Sequence, residues 1–250
     1  MTRRSARSGP SLMRGAPSFP LCNTATAPMA SVDWYFDFIS PFAYLQSEQL
    51  ALLGPSARVR YRPVLFAGIL NAHGHKGPAE IPRKRVFSYR FLVWQARRLG
   101  IAFKMPPEHP FNPLPLLRLA IACDCTPEAV HRIFRFVWRD GRLPDLPIEW
   151  AELVAALGLA DADRRIASPE VKDELRRNTD EAIARGVFGV PTLVIGDELF
   201  WGADATAMAA DYLAAGARWT DPEYDRVAAL PEGAVRTPVK AKPGGRRAGR

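Results

Sequence analysis

The sequence predicts an α/β fold in which a strand-helix-strand unit at one end and a strand-strand-helix unit at the other enclose a long helical block. Three observations predict it. Runs of β-type residues occur at 32–36 and 59–64 and again only after Gly186. Apolar residues in between recur at helical spacing. Hydroxyl-proline-acid triplets mark helix starts through that middle stretch.

Residues 1–30 are rich in Ser, Pro, Ala and Arg without periodicity, which is the composition of a disordered leader. It reads either as an Arg-rich, acid-free transit-type segment or as sequence upstream of a start at Met29. The strand at 32–36, an amphipathic stretch opened by Ser40-Pro41 and ending near Gly54-Pro55, and the strand at 59–64 form a βαβ unit. From 67 to 186 the pattern is helical. Pro82–Leu99 has Val86, Phe87, Phe91, Val93 and Trp94 at apolar positions with arginines opposite, and stops at Gly100. Thr126-Pro127-Glu128 and Ser168-Pro169-Glu170 each set a hydroxyl cap before a first-turn proline and an acid. Strands return at Thr192–Ile195 and 199–201 around a Gly196-Asp197 turn, and a helix over 203–215 follows. This order is that of a thioredoxin-like fold (βαβ…ββα) interrupted by an all-helical insertion domain. The expected organisation is a leader over 1–30, a discontinuous thioredoxin-like domain over 31–66 and 187–216, a helical insertion over 67–186, and a basic C-terminal tail over 217–250.

A chain of 250 residues with 48% hydrophobic and 24% charged content is long enough to bury a core, which excludes collagen-like, mucin-like and wholly disordered classes. The formal charge of +8 invites a nucleic-acid reading. Its distribution argues otherwise, since residues 1–30 carry four arginines and residues 233–250 six cations, both without an acid, leaving −2 for the body. No stretch approaches the roughly 20 apolar residues of a membrane span, and no secretory h-region opens the chain. The expectation is therefore a cytoplasmic protein with neither a nucleic-acid nor a membrane partner. Cys22, Cys123 and Cys125 are the three cysteines. The last two sit in a helical pattern, where residues two apart face different ways, and no further Cys or His lies at zinc spacing, so no metal site is expected.

Thioredoxin-like folds carry their reactive group where the first strand turns into the first helix, whose free N–H groups stabilise a thiolate. Here Ser40-Pro41-Phe42-Ala43 fills the place of a C-x-x-C motif with no sulfur at either end. Dithiol exchange is excluded at that position. Taken alone, Ser40 reads as a helix cap, since Ser followed by Pro is an ordinary N-cap and first-turn pair. Its company is Gly189-Val190-Pro191-Thr192, where the fold sets a cis-proline facing the first helix, although a trans-proline merely opening a strand fits the same residues. Phe200-Trp201-Gly202-Ala203-Asp204 then ends the last strand at a helix start, where backbone donors suit a carboxylate.

The run Asp33-Trp34-Tyr35-Phe36-Asp37-Phe38-Ile39-Ser40-Pro41-Phe42-Ala43-Tyr44-Leu45 resembles the 2-hydroxychromene-2-carboxylate isomerases and kappa-class glutathione transferases. So do Arg185-Gly186-Val187-Phe188-Gly189-Val190-Pro191-Thr192 and the 200–204 segment, and the resemblance spans residues 31–215. It implies a glutathione site in which Ser40 hydrogen-bonds the sulfur, Val190 beside cis-Pro191 pairs with the cysteinyl unit, and Trp201, Gly202 and Asp204 hold the γ-glutamyl end. In the isomerases the thiolate adds reversibly to a conjugated chromene, so that the nucleophile is the cofactor and Ser40 its activator. The resemblance also implies a homodimer. Where the aromatic-degrading isomerases place a lysine and an Asn-Arg pair, this chain has Leu70 and Glu80-Ile81, which removes cations that would meet a substrate carboxylate. Lys84, His109 and Asn112 remain as polar substrate-binding candidates, against a solvated helix face for Lys84 and loop hydrogen bonding for His109 and Asn112. The expected function is a glutathione-dependent isomerase of a small conjugated or aromatic compound. Conjugation or peroxide reduction on the same site is the alternative, and a non-catalytic thiol- or peptide-binding module a third. No G-x-S-x-G elbow supports a serine hydrolase.

Overall fold

The structure is a computed structural model, and residues 29–234 are described. The leader over 1–28 and the end of the basic tail over 235–250 lie outside the described residues. Four strands, β1 (Ala30–Phe36), β2 (Ala57–Pro63), β3 (Thr192–Ile195) and β4 (Glu198–Trp201), form one sheet in the order β2-β1-β3-β4. β1 pairs with β2 in parallel, Trp34 opposite Tyr61, and with β3 antiparallel, Trp34 opposite Leu193. β3 and β4 form a hairpin with Gly196 at φ +61°. Positive φ at the first of two turn residues alone is the type II′ pattern, which glycine serves without strain. This is the thioredoxin-like arrangement the element order predicts.

The helices are α1 (Pro41–Ser47), α2 (Phe66–Ala72), α3 (Pro82–Leu99), α4 (Leu114–Ala122), α5 (Pro127–Trp138), α6 (Pro147–Leu157), α7 (Ala162–Ala167), α8 (Pro169–Ala184), α9 (Thr206–Ala214) and α10 (Pro222–Ala228). Among the described residues, no strand lies between β2 and β3. β1 is buried on both faces, so its side chains divide by alternation. Val32, Trp34 and Phe36 enter the larger core with Leu45 and Phe134, while Tyr35 joins Val64, Ile69, Ala182 and Val194 beneath α2 and α8. Helices α2 and α8 thus complete the second face of the sheet. Ser168 and Thr126 cap α8 and α5 by accepting from Val171 N–H and Ala129 N–H.

Three expectations change. The arginines of α3 do not lie opposite its apolar residues but share the outward face with them, Arg98 standing over the Trp94 ring. Leu92 and Ala96 are its buried residues, while Phe87 and Trp94 point to solvent. Cys123 and Cys125 are not on a helix, because Asp124 and Cys125 take φ of +55° and +49° in the turn after α4. Burial pushes the Cys125 thiol up to about 12. The stretch after Ala217 begins as packed structure, with Trp219 against Tyr212 at 4.7 Å and against Tyr224 of α10 at 4.3 Å. Aromatic anchoring there replaces the periodicity that a longer helix would show.

Candidate active site

The turn from β1 into α1 is held from four sides. Ser40 N–H donates to Asp37 O at 3.0 Å. The buried Asp37 carboxylate accepts from Ile39 N–H at 3.0 Å and from Phe66 N–H at 2.9 Å, tying the turn to the start of α2. Trp138 of α5 donates its indole N–H to Phe38 O at 2.8 Å. His109 Nε2 lies 2.8 Å from Ile39 O. A carbonyl only accepts, so Nε2 carries the proton and Nδ1 is free to accept from the Tyr89 hydroxyl at 2.7 Å. Burial holds His109 below its ordinary value, with the Ile39 carbonyl opposing and Arg85 adding to the effect, which fits that neutral tautomer. Burial also raises Asp37 to about 7 against the pull of its two backbone donors.

Ser40 stands on this platform as the N-cap of α1 and is buried. Its Oγ accepts from Ala43 N–H at 3.3 Å and lies 3.5 Å from Val190 O. The second contact is long for an O–H donor, so most of the hydroxyl's donor capacity remains available to a ligand atom. The Val190–Pro191 bond is cis. Behind it, Gly202 N–H donates to Pro191 O at 2.9 Å. Gln46, wholly buried, donates to Gly202 O at 2.9 Å and to Thr206 Oγ1 at 3.0 Å while accepting from the Trp34 indole at 2.7 Å. Trp201 is 55% exposed and lies so close over Gly189 that a Cβ there would meet its Nε1 at 2.5 Å. Gly202 takes φ +95°, and a Cβ on it would meet Asp204 Oδ1 at 2.5 Å. Position 202 therefore requires glycine, and any side chain at 189 would push the Trp201 ring aside.

Ser40 and Val190 open on a cavity of about 330 Å³ whose walls are largely apolar, among them Phe42, Leu70 and Leu92. Of the substrate candidates, His109 lines it and the other two do not. Lys84 is exposed on the outer side of α3. Asn112 is also exposed, and its Oδ1 accepts from Leu114 N–H at 3.1 Å, a local turn ahead of α4. Residues unforeseen as site groups are Arg85 and Tyr89, which line the cavity from the inner side of α3. Asp37 and Gln46 lie behind the site. Tyr89, three residues before the buried Leu92, shares the inner face of α3 with it. Leu70 and Glu80 line the cavity, and Glu80 Oε1 is occupied in accepting from Gly77 N–H at 2.6 Å, so no side-chain cation stands at either position.

A family model for the DSBA-like thioredoxin domain matches residues 31–214. The chain belongs to the DsbA-like thioredoxin family. Within it, the chain is 32% identical over 186 residues to a 2-hydroxychromene-2-carboxylate isomerase of Pseudomonas sp. (strain C18), covering 71% of this chain and 87% of that one. It is 29% identical over 205 residues to glutathione S-transferase kappa 2 of Caenorhabditis elegans, covering 73% and 91%. Among solved structures, a 2-hydroxychromene-2-carboxylate isomerase superposes with a TM-score of 0.66 at 26% identity, over 79% of this chain and 98% of that one. This DsbA-like chain departs from a dithiol oxidoreductase at the reactive turn, where Ser40 and Ala43 stand at the two cysteine positions. The relatives named are thus an isomerase and a glutathione transferase on the same DsbA-like fold.

Proposed function

We propose that the protein is a glutathione-dependent isomerase acting on a small conjugated or aromatic compound in the cavity beside Ser40. The observation that carries this reading is the pairing of a sulfur-free reactive turn with a buried hydroxyl 3.5 Å from Val190 O, at the edge of an apolar cavity. The donor set fits a peptide thiol. Val190 N–H is engaged by no acceptor among the described residues, so its backbone is free to pair with an extended peptide, as edge strands do. Ser40 would hold the sulfur, Val190 the cysteinyl unit beside Pro191, and Trp201, Gly202 and Asp204 the γ-glutamyl end. Bound glutathione supplies a nucleophilic thiolate that is returned at the end of an isomerisation.

The chain's own groups divide the remaining work. Ser40 donates to the sulfur and favours its ionised form, because a hydrogen bond to the charged state lowers a thiol pKa. Asp37, Trp138 and His109 fix the turn that aims the Ser40 hydroxyl, so the donor needs no reorganisation. Phe42, Leu70 and Leu92 exclude water from the conjugated substrate. Kappa-type relatives support a transferase as the competing chemistry on the same residues.

Titration with glutathione, followed by thiolate absorbance in the ultraviolet, tests the cofactor. Saturable binding with ionisation at neutral pH is expected, and absence of both would reduce the site to a remnant. With 2-hydroxychromene-2-carboxylate as the first probe, glutathione that is not consumed supports isomerisation. Stoichiometric loss supports conjugation.

A further inference from the structure

Helix α3 carries Arg83, Lys84, Arg85, Arg90, Arg97 and Arg98 and no acid. None of the six forms an ion pair among the described residues, although arginines of neighbouring helices do, as in Arg135 with Glu48 and Arg176 with Asp173. Residues 1–28 and 235–250 contain no Asp or Glu to supply one. The near-neutral charge of the body thus conceals a helix that is uniformly positive.

The same helix exposes two of its aromatic residues, Phe87 and Trp94, with Phe91 half-buried between them. Phe87, Phe91, Trp94 and Arg98 fall at i, i+4, i+7 and i+11, which is one face of a helix. Phe87 is 68% and Trp94 53% exposed, with Val86 and Leu99 also exposed, on opposite flanks of the helix. The rings form a continuous row, Phe87 to Phe91 at 6.0 Å and Phe91 to Trp94 at 5.6 Å, and the Arg98 guanidinium sits 5.1 Å from the Trp94 centroid. Arg83, Lys84, Arg90 and Arg97 flank that row. Arg85 alone turns inward, to the cavity with Ser88 and Tyr89.

We propose that the outward face of α3 is a docking surface for an anionic lipid bilayer. An apolar crest flanked by cations is the layout of a helix that lies in a membrane interface, with rings among the acyl chains and cations among the headgroups. A second copy is disfavoured as occupant, because a twofold contact would set two acid-free helices against each other. Nucleic acid would meet the cations at the flanks and leave the aliphatic Val86 and Leu99 without a partner. The surface is independent of the proposed activity, which needs only the opposite side of the helix.

The test is co-sedimentation of the full chain with vesicles of phosphatidylcholine alone and with phosphatidylglycerol added, at low and high salt. Binding only to the anionic vesicles, weakened by salt, is expected. Phe87→Ser/Trp94→Ser and Arg90→Gln/Arg97→Gln/Arg98→Gln alter exposed residues only, and each should weaken binding at least tenfold with thermal unfolding unchanged. Equal binding to both vesicle types or to neither overturns the proposal. Variants that bind like the parent overturn it too, by assigning the binding to the basic termini. Conversion of a dimer to a monomer by Phe87→Ser/Trp94→Ser in light scattering would make the face a subunit interface instead. Binding of a short DNA duplex that the charge variant loses, without vesicle binding, would assign it to nucleic acid.

Discussion

At the scale of single residues, Ser40 has two duties that a substitution separates. Ser40→Ala removes the cap on Ala43 N–H, which costs about 0.5–2 kcal/mol of stability. The same change removes the donor proposed for the sulfur. A charge-assisted hydrogen bond of about 1.5–3 kcal/mol corresponds to a rise of roughly one to two pH units in the pKa of bound glutathione. Thiolate absorbance as a function of pH, below the variant's melting temperature, reads this directly. An unchanged profile would leave Ser40 as a cap and nothing more. The sequence made Ser40 and Val190 legible because a motif position and a proline mark them. It misplaced Lys84 and Asn112, since polarity in a helix or loop does not say which side faces a cavity. It passed over Asp37 and Gln46, whose roles rest on backbone groups brought from distant parts of the chain.

At the scale of elements, Gln46 joins α1 to the turn after β4. Its amide is the meeting point of Trp34 from β1, Gly202 O, and Thr206 at the start of α9. Gln46→Leu keeps the volume but leaves the buried Trp34 indole N–H without an acceptor, and buried orphan groups cost about 1–3 kcal/mol each. A loss of about 2–4 kcal/mol in urea unfolding is expected, together with weaker glutathione binding because Gly202 loses its tether. Unaltered stability would mean that water replaces the amide. Elements with explicit start signals were readable, as Thr126 and Ser168 show. The phase of α3 was not, because an apolar stripe at helical spacing reports amphipathicity and not the direction in which the stripe faces. Nor was α10, a seven-residue helix held by Trp219 stacking on Tyr224.

At the scale of the whole molecule, two buried carboxylates on β1 and just after it give stability opposite slopes with pH. Burial works against the charged form of Asp33, but Arg60, Arg185 and Arg62 outweigh it and hold the group below its ordinary value. A lowered native pKa contributes stability that is complete above about pH 4 and is lost as the pH falls through the native value. Asp37 is raised to about 7, so its contribution is complete below about pH 4 and fades as the pH rises through 7. Urea midpoints from these two groups should therefore peak near pH 4 and fall from there to about pH 7. Asp37→Asn should flatten the decline between about pH 4 and 7 without touching the acid limb. A decline that persists in that variant would move its origin elsewhere.

The sheet order has a consequence for how the protein is made. β1 lies between β2, which follows it soon in sequence, and β3, which begins only at Thr192. On a ribosome adding about 5–20 residues per second, β1 and β2 wait on the order of ten seconds for the strand that closes the sheet. Throughout that delay Val32, Trp34 and Phe36 flank an open edge, a template for pairing with a neighbouring nascent chain. Slowing synthesis across the helical stretch with rare codons should therefore raise the insoluble fraction, and co-expressed chaperones should restore it.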